Sequence, residues 1–236
     1  MVVWRPIARP RPNSGPLGGQ DEQMSMGENS WLSIPLADYE GHMESVGQTG
    51  ALRRLFSDVY AAVRPVRLAV LGCTAGADFD EVDPAITQLA LGVDINARYV
   101  AAAEHRTTRL GLNVQFICGD VLRVNLSQAP FDLIHAALLV EYVDTATLFR
   151  RVRYWLCKNG VLSIVSQEPL SGLEAVSPTK YKSLQVLAGQ MCLQPADEIE
   201  RIGAQEGFAL KSRRSLEVLK GKILMHSIFE AAGAVR

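Results

Sequence analysis

RLAVLGCTAGADF, Arg67 to Phe79, runs from a short apolar stretch straight into a turn of small residues. Leu68–Leu71 has the composition of a buried strand, and Gly72 and Gly76 punctuate the turn. The same rhythm recurs along the chain. LALGV (89–93), VQFIC (114–118), FDLIHA (131–136) and GVLSIVS (160–166) are further short apolar runs, separated by stretches of helical character. Such alternation predicts parallel strands buried on both faces.

Helix signals fill the gaps. Val46, Leu52, Leu55, Phe56, Val59, Tyr60 and Val63 recur near helical spacing, and Pro65 ends the pattern. Asn96 is placed to cap a helix running to Leu110 and closed by Gly111. Asp144 or Thr145 caps the next, with Leu148, Val152, Trp155 and Leu156 on one face and Gly160 beyond. Ser177-Pro178 reads as another helix start, and Pro195 as one more that stops at Gly207. Pro84 shortens the first crossover. The last extended runs, FALKSRRSLEV and KILMHSIFEA, meet near LKGK as an antiparallel hairpin. The expected architecture is α/β: a doubly wound, mostly parallel seven-stranded sheet with a C-terminal antiparallel hairpin and helices on both faces.

With 236 residues and 48% hydrophobic content, the chain can bury a sizeable core. Residues 1–30 are rich in Pro, Gly and Arg and read as a disordered tail, with Met24 or Met26 as alternative starts. Residues 31–236 read as one domain, with an N-terminal lid and helix over 31–65 and a core over 66–236. A formal net charge of −1 advertises no nucleic-acid surface. No apolar run is long enough for a membrane helix, and no secretory leader pattern opens the chain. Cys73, Cys118, Cys157 and Cys192 lack any CxxC pair, so neither a metal nor a disulfide framework is implied. Buried thiols in a reducing cytoplasm are expected.

In sheets of this kind ligands bind outside the carboxyl ends of the strands, where the strand order reverses. GCTAG (72–76) falls at that point. Its glycines let a ligand approach the backbone, and its amides are expected to face an anionic group. Asp94, in GVDIN, comes 22 positions after Gly72, a spacing suited to ribose hydroxyls. Asp120, in CGDVL, is a third strand-tip group, able to accept from an adenine amino group with Val121 against the ring.

These motifs, taken in order, resemble those of the class I S-adenosylmethionine-dependent methyltransferases. VLGCTAG resembles the family's first glycine motif, GVDIN its ribose-binding acid and CGDVL its adenine-binding acid. FDLIHAALLVEYVD (131–144) resembles its fourth motif, and WLCKNGVLSIVS (155–166) the helix-to-strand passage after it. The resemblance covers roughly 46–230. It implies S-adenosyl-L-methionine as cofactor, with contacts from Gly72, Cys73, Thr74, Gly76, Asp94, Ile95, Asp120, Val121 and Ala136. Val70 stands where the family often has an acid, and Thr74 where it often has a glycine.

The implied reaction is displacement at a sulfonium methyl, a positioning task with a general base only for a protonated acceptor. Glu141 and Tyr142, after the fourth run, are candidates to bind or deprotonate the acceptor. Tyr39 and His42, in DYEGHM (38–43), are candidates to face the methyl site from a lid, and His42 is also a candidate base. His135 reads as a satisfied core histidine. No Asp/Asn-Pro-Pro-Tyr/Phe or Pro-Cys element comes after the fourth run, which disfavours nucleobase amine or pyrimidine-carbon acceptors. A small-molecule acceptor is expected. Two alternatives are a non-catalytic binding module on the same fold and an NAD(P)-dependent oxidoreductase; only Gly72 fits the nicotinamide glycine fingerprint.

Overall fold

The computed structural model describes residues 29–231. The expected tail therefore lies outside the described residues, except Asn29 and Ser30. Asn29 accepts a hydrogen bond from the Trp31 amide and caps a short 3-10 turn, Ser30–Leu32.

Two helices precede the sheet, α1 (Leu36–Ser45) and α2 (Gln48–Val63). The core then runs β1 (Arg67–Leu71), β2 (Leu89–Asp94), α3 (Ala97–Thr107), β3 (Val114–Cys118), β4 (Phe131–Ala137), α4 (Thr145–Trp155) and β5 (Leu156–Gln167). It closes with α5 (Ala196–Gln205), β6 (Phe208–Glu217) and β7 (Ile223–Ala231). All seven strands form one sheet in the order β3-β2-β1-β4-β5-β7-β6. The first five strands are parallel, and β7 runs antiparallel to both β5 and β6. The order reverses between β1 and β4, which puts the ligand crevice of such a sheet beyond their carboxyl ends.

Alternation along β1 shows how the layers divide. Leu68 and Val70 pack with Phe56, Val59 and Tyr60 of α2. Ala69 and Leu71 turn to the other face, with Leu148, Phe149, Val152 and Trp155 of α4 and Ile199 of α5. Phe149 meets the edges of Phe208 and Phe229 at ring separations of 5.1 and 5.2 Å, tying α4 to the hairpin.

Several sequence expectations shift. VQFIC forms the edge strand β3 and is only partly buried, because among the described residues no strand lies beyond it. β5 begins at Leu156 instead of Gly160, so Leu156 belongs to the strand and the helix before it ends at Trp155. α3 ends at Thr107, and the chain turns on to Gly111, whose φ is 67°. Ser177-Pro178 starts no α-helix; the helical turn nearest to it is a 3-10 run, Lys182–Gly189. The first crossover is short as Pro84 implies, with only a 3-10 segment at Ala77–Glu81.

Candidate active site

β1 ends at Leu71, and the φ of 70° at Gly72 turns the chain sharply away from the strand. Thr74 and Gly76 also take positive φ, 45° and 72°. The turn is therefore shaped by conformation. Its amides serve the protein: Gly72 and Cys73 both donate to the Val93 carbonyl at 2.8 and 3.0 Å, and Gly76 donates to Cys73 O at 2.8 Å. The Thr74 amide donates to Asp94 Oδ2 at 2.9 Å. This corrects the expectation that these N–H groups face a ligand anion. β2 continues one residue past β1 and takes up the donors, and Asp94 reaches back for the next.

Asp94 also accepts from the Asn96 amide through Oδ1 at 2.8 Å, while Asn96 caps α3 at the Arg98 amide. Burial pushes the Asp94 carboxyl upward, and the backbone amides of Asn96, Thr74 and Ile95 pull it down. A carboxylate has about four lone-pair sites, and these two bonds leave capacity for further donors. Asp120, after β3, accepts from the Leu122 amide at 2.8 Å and lies 3.4 Å from the Arg123 guanidinium.

These strand tips open on one cavity of about 370 Å³, within the range of small-molecule sites. Gly72, Thr74, Asp94, Ile95, Asp120 and Val121 line it, as do Tyr39, His42 and Tyr142. Cys73, Gly76, Ala136 and Glu141 do not. The Cys73 side chain is buried among Val70, Phe79 and Ala90. Gly76 stands behind the turn, against Ala103 and Phe79. Ala136 belongs to the sheet core.

Glu141 departs furthest from expectation. The chain leaves β4 through Leu138 at φ 51°, and Glu141 turns inward, 1% exposed. Its Oε1 accepts from the Gln167 amide at 2.7 Å, fastening the end of β5, and its Oε2 has no partner. Burial raises this carboxyl to about 7. It is a structural acid that can remain protonated near neutrality.

The N-terminal segment closes over the cavity. Trp31 meets Tyr142 edge-on at 5.1 Å and Tyr39 at 5.7 Å. Asn96 Nδ2 donates to Trp31 O at 2.8 Å, and the Tyr99 hydroxyl donates to Ile34 O at 3.1 Å. The second wall comes from the passage after β5 and from Lys222, before β7. Sequence reading missed Trp31, Gln167, Leu187 and Lys222 as cavity residues. For Trp31 the clue was an aromatic close to the polar DYEGHM group. The others carry no local signal: Gln167 and Lys222, for example, meet across 55 positions of chain.

His42 lies against the cavity with Nδ1 3.0 Å from Thr179 Oγ1. Burial first, then the Lys222 and Lys220 charges, lower its proton affinity, so the ring is neutral. Burial raises the Tyr39 and Tyr142 phenols far above their ordinary range, so both stay protonated. His135 is a core residue: Nδ1 meets Ser163 Oγ at 2.9 Å, which in turn meets His226 Nε2 at 2.8 Å. Its Nε2, however, is unpartnered, and burial lowers the ring to about 3.

Residues 69–160 match a family described as a methyltransferase domain. Solved structures share the fold over most of the chain. An S-adenosylmethionine-dependent methyltransferase from Clostridium acetobutylicum is 16% identical, with a TM-score of 0.59 over 77% of this chain and 91% of the other. The N-methyltransferase NodS from Bradyrhizobium japonicum, in complex with S-adenosyl-L-homocysteine, is 18% identical, with a TM-score of 0.60 over 85% and 90%. The cyclase SpnF is 14% identical, with a TM-score of 0.64 over 80% and 83%. No curated protein sequence matches the chain.

Proposed function

With a methyltransferase domain matched over residues 69–160 and the class I methyltransferase fold around it, we propose that this chain transfers the methyl group of S-adenosylmethionine to a small-molecule acceptor. One observation carries the reading: the tips of β1, β2 and β3 bring Gly72, Asp94 and Asp120 to a single cavity that continues beneath the N-terminal segment.

The residues fit the cofactor. Asp94 retains acceptor capacity for two ribose hydroxyls beside its backbone bonds. Asp120 is 38% exposed in its side chain and can accept from an adenine amino group, with Val121 and Ile95 as apolar neighbours. Gly72 leaves room above the turn. When bound, S-adenosylmethionine would supply a sulfonium methyl that an acceptor lone pair could take as the C–S bond breaks, leaving S-adenosylhomocysteine. The chain's share is alignment and exclusion of water. Trp31, Tyr39 and Tyr142 form an aromatic cover, and the two phenols can donate hydrogen bonds but not act as bases. Where the acceptor carries an N–H or O–H, neutral His42 can take the proton. Glu141 does not reach the cavity and keeps β5 in place instead.

A cavity of about 370 Å³ with a mostly apolar lining supports a small molecule over a polymer. Of the four free cysteines only Cys73 is buried, which corrects the expectation of buried thiols; Cys118 and Cys192 are exposed, and exposed free thiols fit a reducing, cytoplasmic setting. Calorimetry with S-adenosylmethionine, S-adenosylhomocysteine and NADH tests the cofactor. Micromolar binding of the first two alone is expected, and NADH binding alone overturns the reading. Val70, in the place of the frequent acid, favours a second reading: cofactor binding without methyl transfer. Tight binding with no labelled methyl transferred across a broad acceptor panel selects it.

A further inference from the structure

Lys222 occupies the cavity wall at the start of β7, and it is 5% exposed. Its Nζ donates to Ala175 O at 2.5 Å and to Gln167 Oε1 at 3.2 Å. Both are neutral acceptors. Among the described residues, no carboxylate lies within ion-pair distance of this ammonium. Glu174 attracts it from farther away, and Lys220 repels it. A buried charge without a counter-ion is costly. Here it borders a cavity, where a ligand can supply the missing charge.

Its position separates it from the cofactor's acids. Along the sheet edge Asp94 ends β2, and Lys222 precedes β7, four strands away. At about 4.8 Å per strand this is roughly 19 Å, before the side chains lean inward. The rest of the lining is mostly apolar, with Met43, Val46, Val176, Leu184, Leu187 and Met191 beside the polar His42, Gln48 and Ser177. Among the described residues no arginine lines it, and Lys222 is its single lysine. One monovalent cation at the end of an apolar chamber matches a monoanionic head on an apolar body.

Resting on the methyltransferase reading, we propose that the acceptor is an apolar carboxylic acid, and that its carboxylate pairs with Lys222 at the end of the cavity remote from Asp94. The carboxylate anchors the acceptor, which directs its far end, carrying the nitrogen, oxygen or sulfur lone pair that takes the methyl group, toward the methyl site. Lys222 is thus a specificity residue, and Gln167 and Ala175 hold its ammonium in place.

Octanoate, 1-octanol and octyl phosphate serve as probes, titrated calorimetrically into the full chain saturated with S-adenosylhomocysteine. Octanoate is expected to bind at least tenfold more tightly than 1-octanol. In K222M it is expected to lose at least tenfold, with 1-octanol unchanged. Equal binding of octanoate and 1-octanol by the parent overturns the proposal without any variant, and so does an octanoate affinity that K222M leaves intact. Octyl phosphate binding more tightly than octanoate overturns the carboxylate assignment. Parent protein that binds S-adenosylhomocysteine but none of the probes sinks this inference alone. Failure to bind S-adenosylhomocysteine at all sinks the function beneath it.

Discussion

Replacing Asp94 by Asn tests the cofactor site while sparing most of the fold. The Asp94 carboxylate has two structural duties, the Thr74 and Asn96 amides at 2.9 and 2.8 Å. A hydrogen bond to a charged group contributes about 1.5–3 kcal/mol. Asp94→Ala abandons both amides in a buried site, a loss of roughly 3–6 kcal/mol against a typical total of about 5–15 kcal/mol. Loss of binding in that variant would report unfolding as readily as recognition. Asp94→Asn keeps one acceptor oxygen and turns an NH2 toward the other amide. Its expected stability cost is about 1.5–3 kcal/mol, read from urea unfolding. For the ligand, each charge-assisted bond from a ribose hydroxyl that loses its ionised acceptor weakens binding by roughly 10–150-fold. The assay is calorimetric titration of S-adenosylhomocysteine into protein shown to be folded by near-UV circular dichroism. A folded Asp94→Asn variant that binds within threefold of the parent would refute the assignment of Asp94 to the ribose. A variant with unaltered stability would refute the structural half of the reasoning.

Two further outcomes are expected from the same geometry. Glu141 has its folded pKa raised to about 7, above the ordinary 4.5, so the unfolded chain releases this proton first as pH rises. Its contribution to stability therefore falls between about pH 4.5 and 7 and levels off above, and Glu141→Gln should flatten that slope in unfolding curves at pH 5, 6 and 7; an unchanged slope counts against a buried neutral acid. A Cβ at Gly41 would overlap the Tyr181 ring, where α1 meets the passage after β5. Gly41→Ala should cost about 1–3 kcal/mol by overpacking and speed release of S-adenosylhomocysteine in stopped-flow experiments followed by tryptophan fluorescence; an unchanged release rate would mean that α1 does not gate the cavity.

Local chemistry accounts for much of what was legible. The runs at 67–71, 89–93, 114–118 and 131–136 were readable because short apolar stretches bounded by turn residues have few other stable arrangements. Asn96 and Asp144 announced helix starts because a cap is a contact between near neighbours. The strand-tip acids came from strand ends plus the edge rule of parallel sheets. Ser177-Pro178 misled because a proline suited to a first helical turn is equally at home in an extended passage, and here the chain runs on to a 3-10 segment that buries Leu184 and Leu187 with Ile34 and Val176. Glu141 misled because sequence places a residue after a strand but does not say which way its side chain turns.

By itself, then, the order of residues determined the alternation of strands and helices, the terminal hairpin and the acids at two strand tips, since each depends on contacts within a few positions. Only the tertiary structure decided that the amides of Gly72, Cys73, Thr74 and Gly76 are spent within the protein, that Glu141 braces β5, and that Lys222 stands without a counter-ion among the described residues in the same chamber as Asp94. Those three facts depend on which distant groups compete for a donor or a charge, and that competition exists only once the sheet has brought them together.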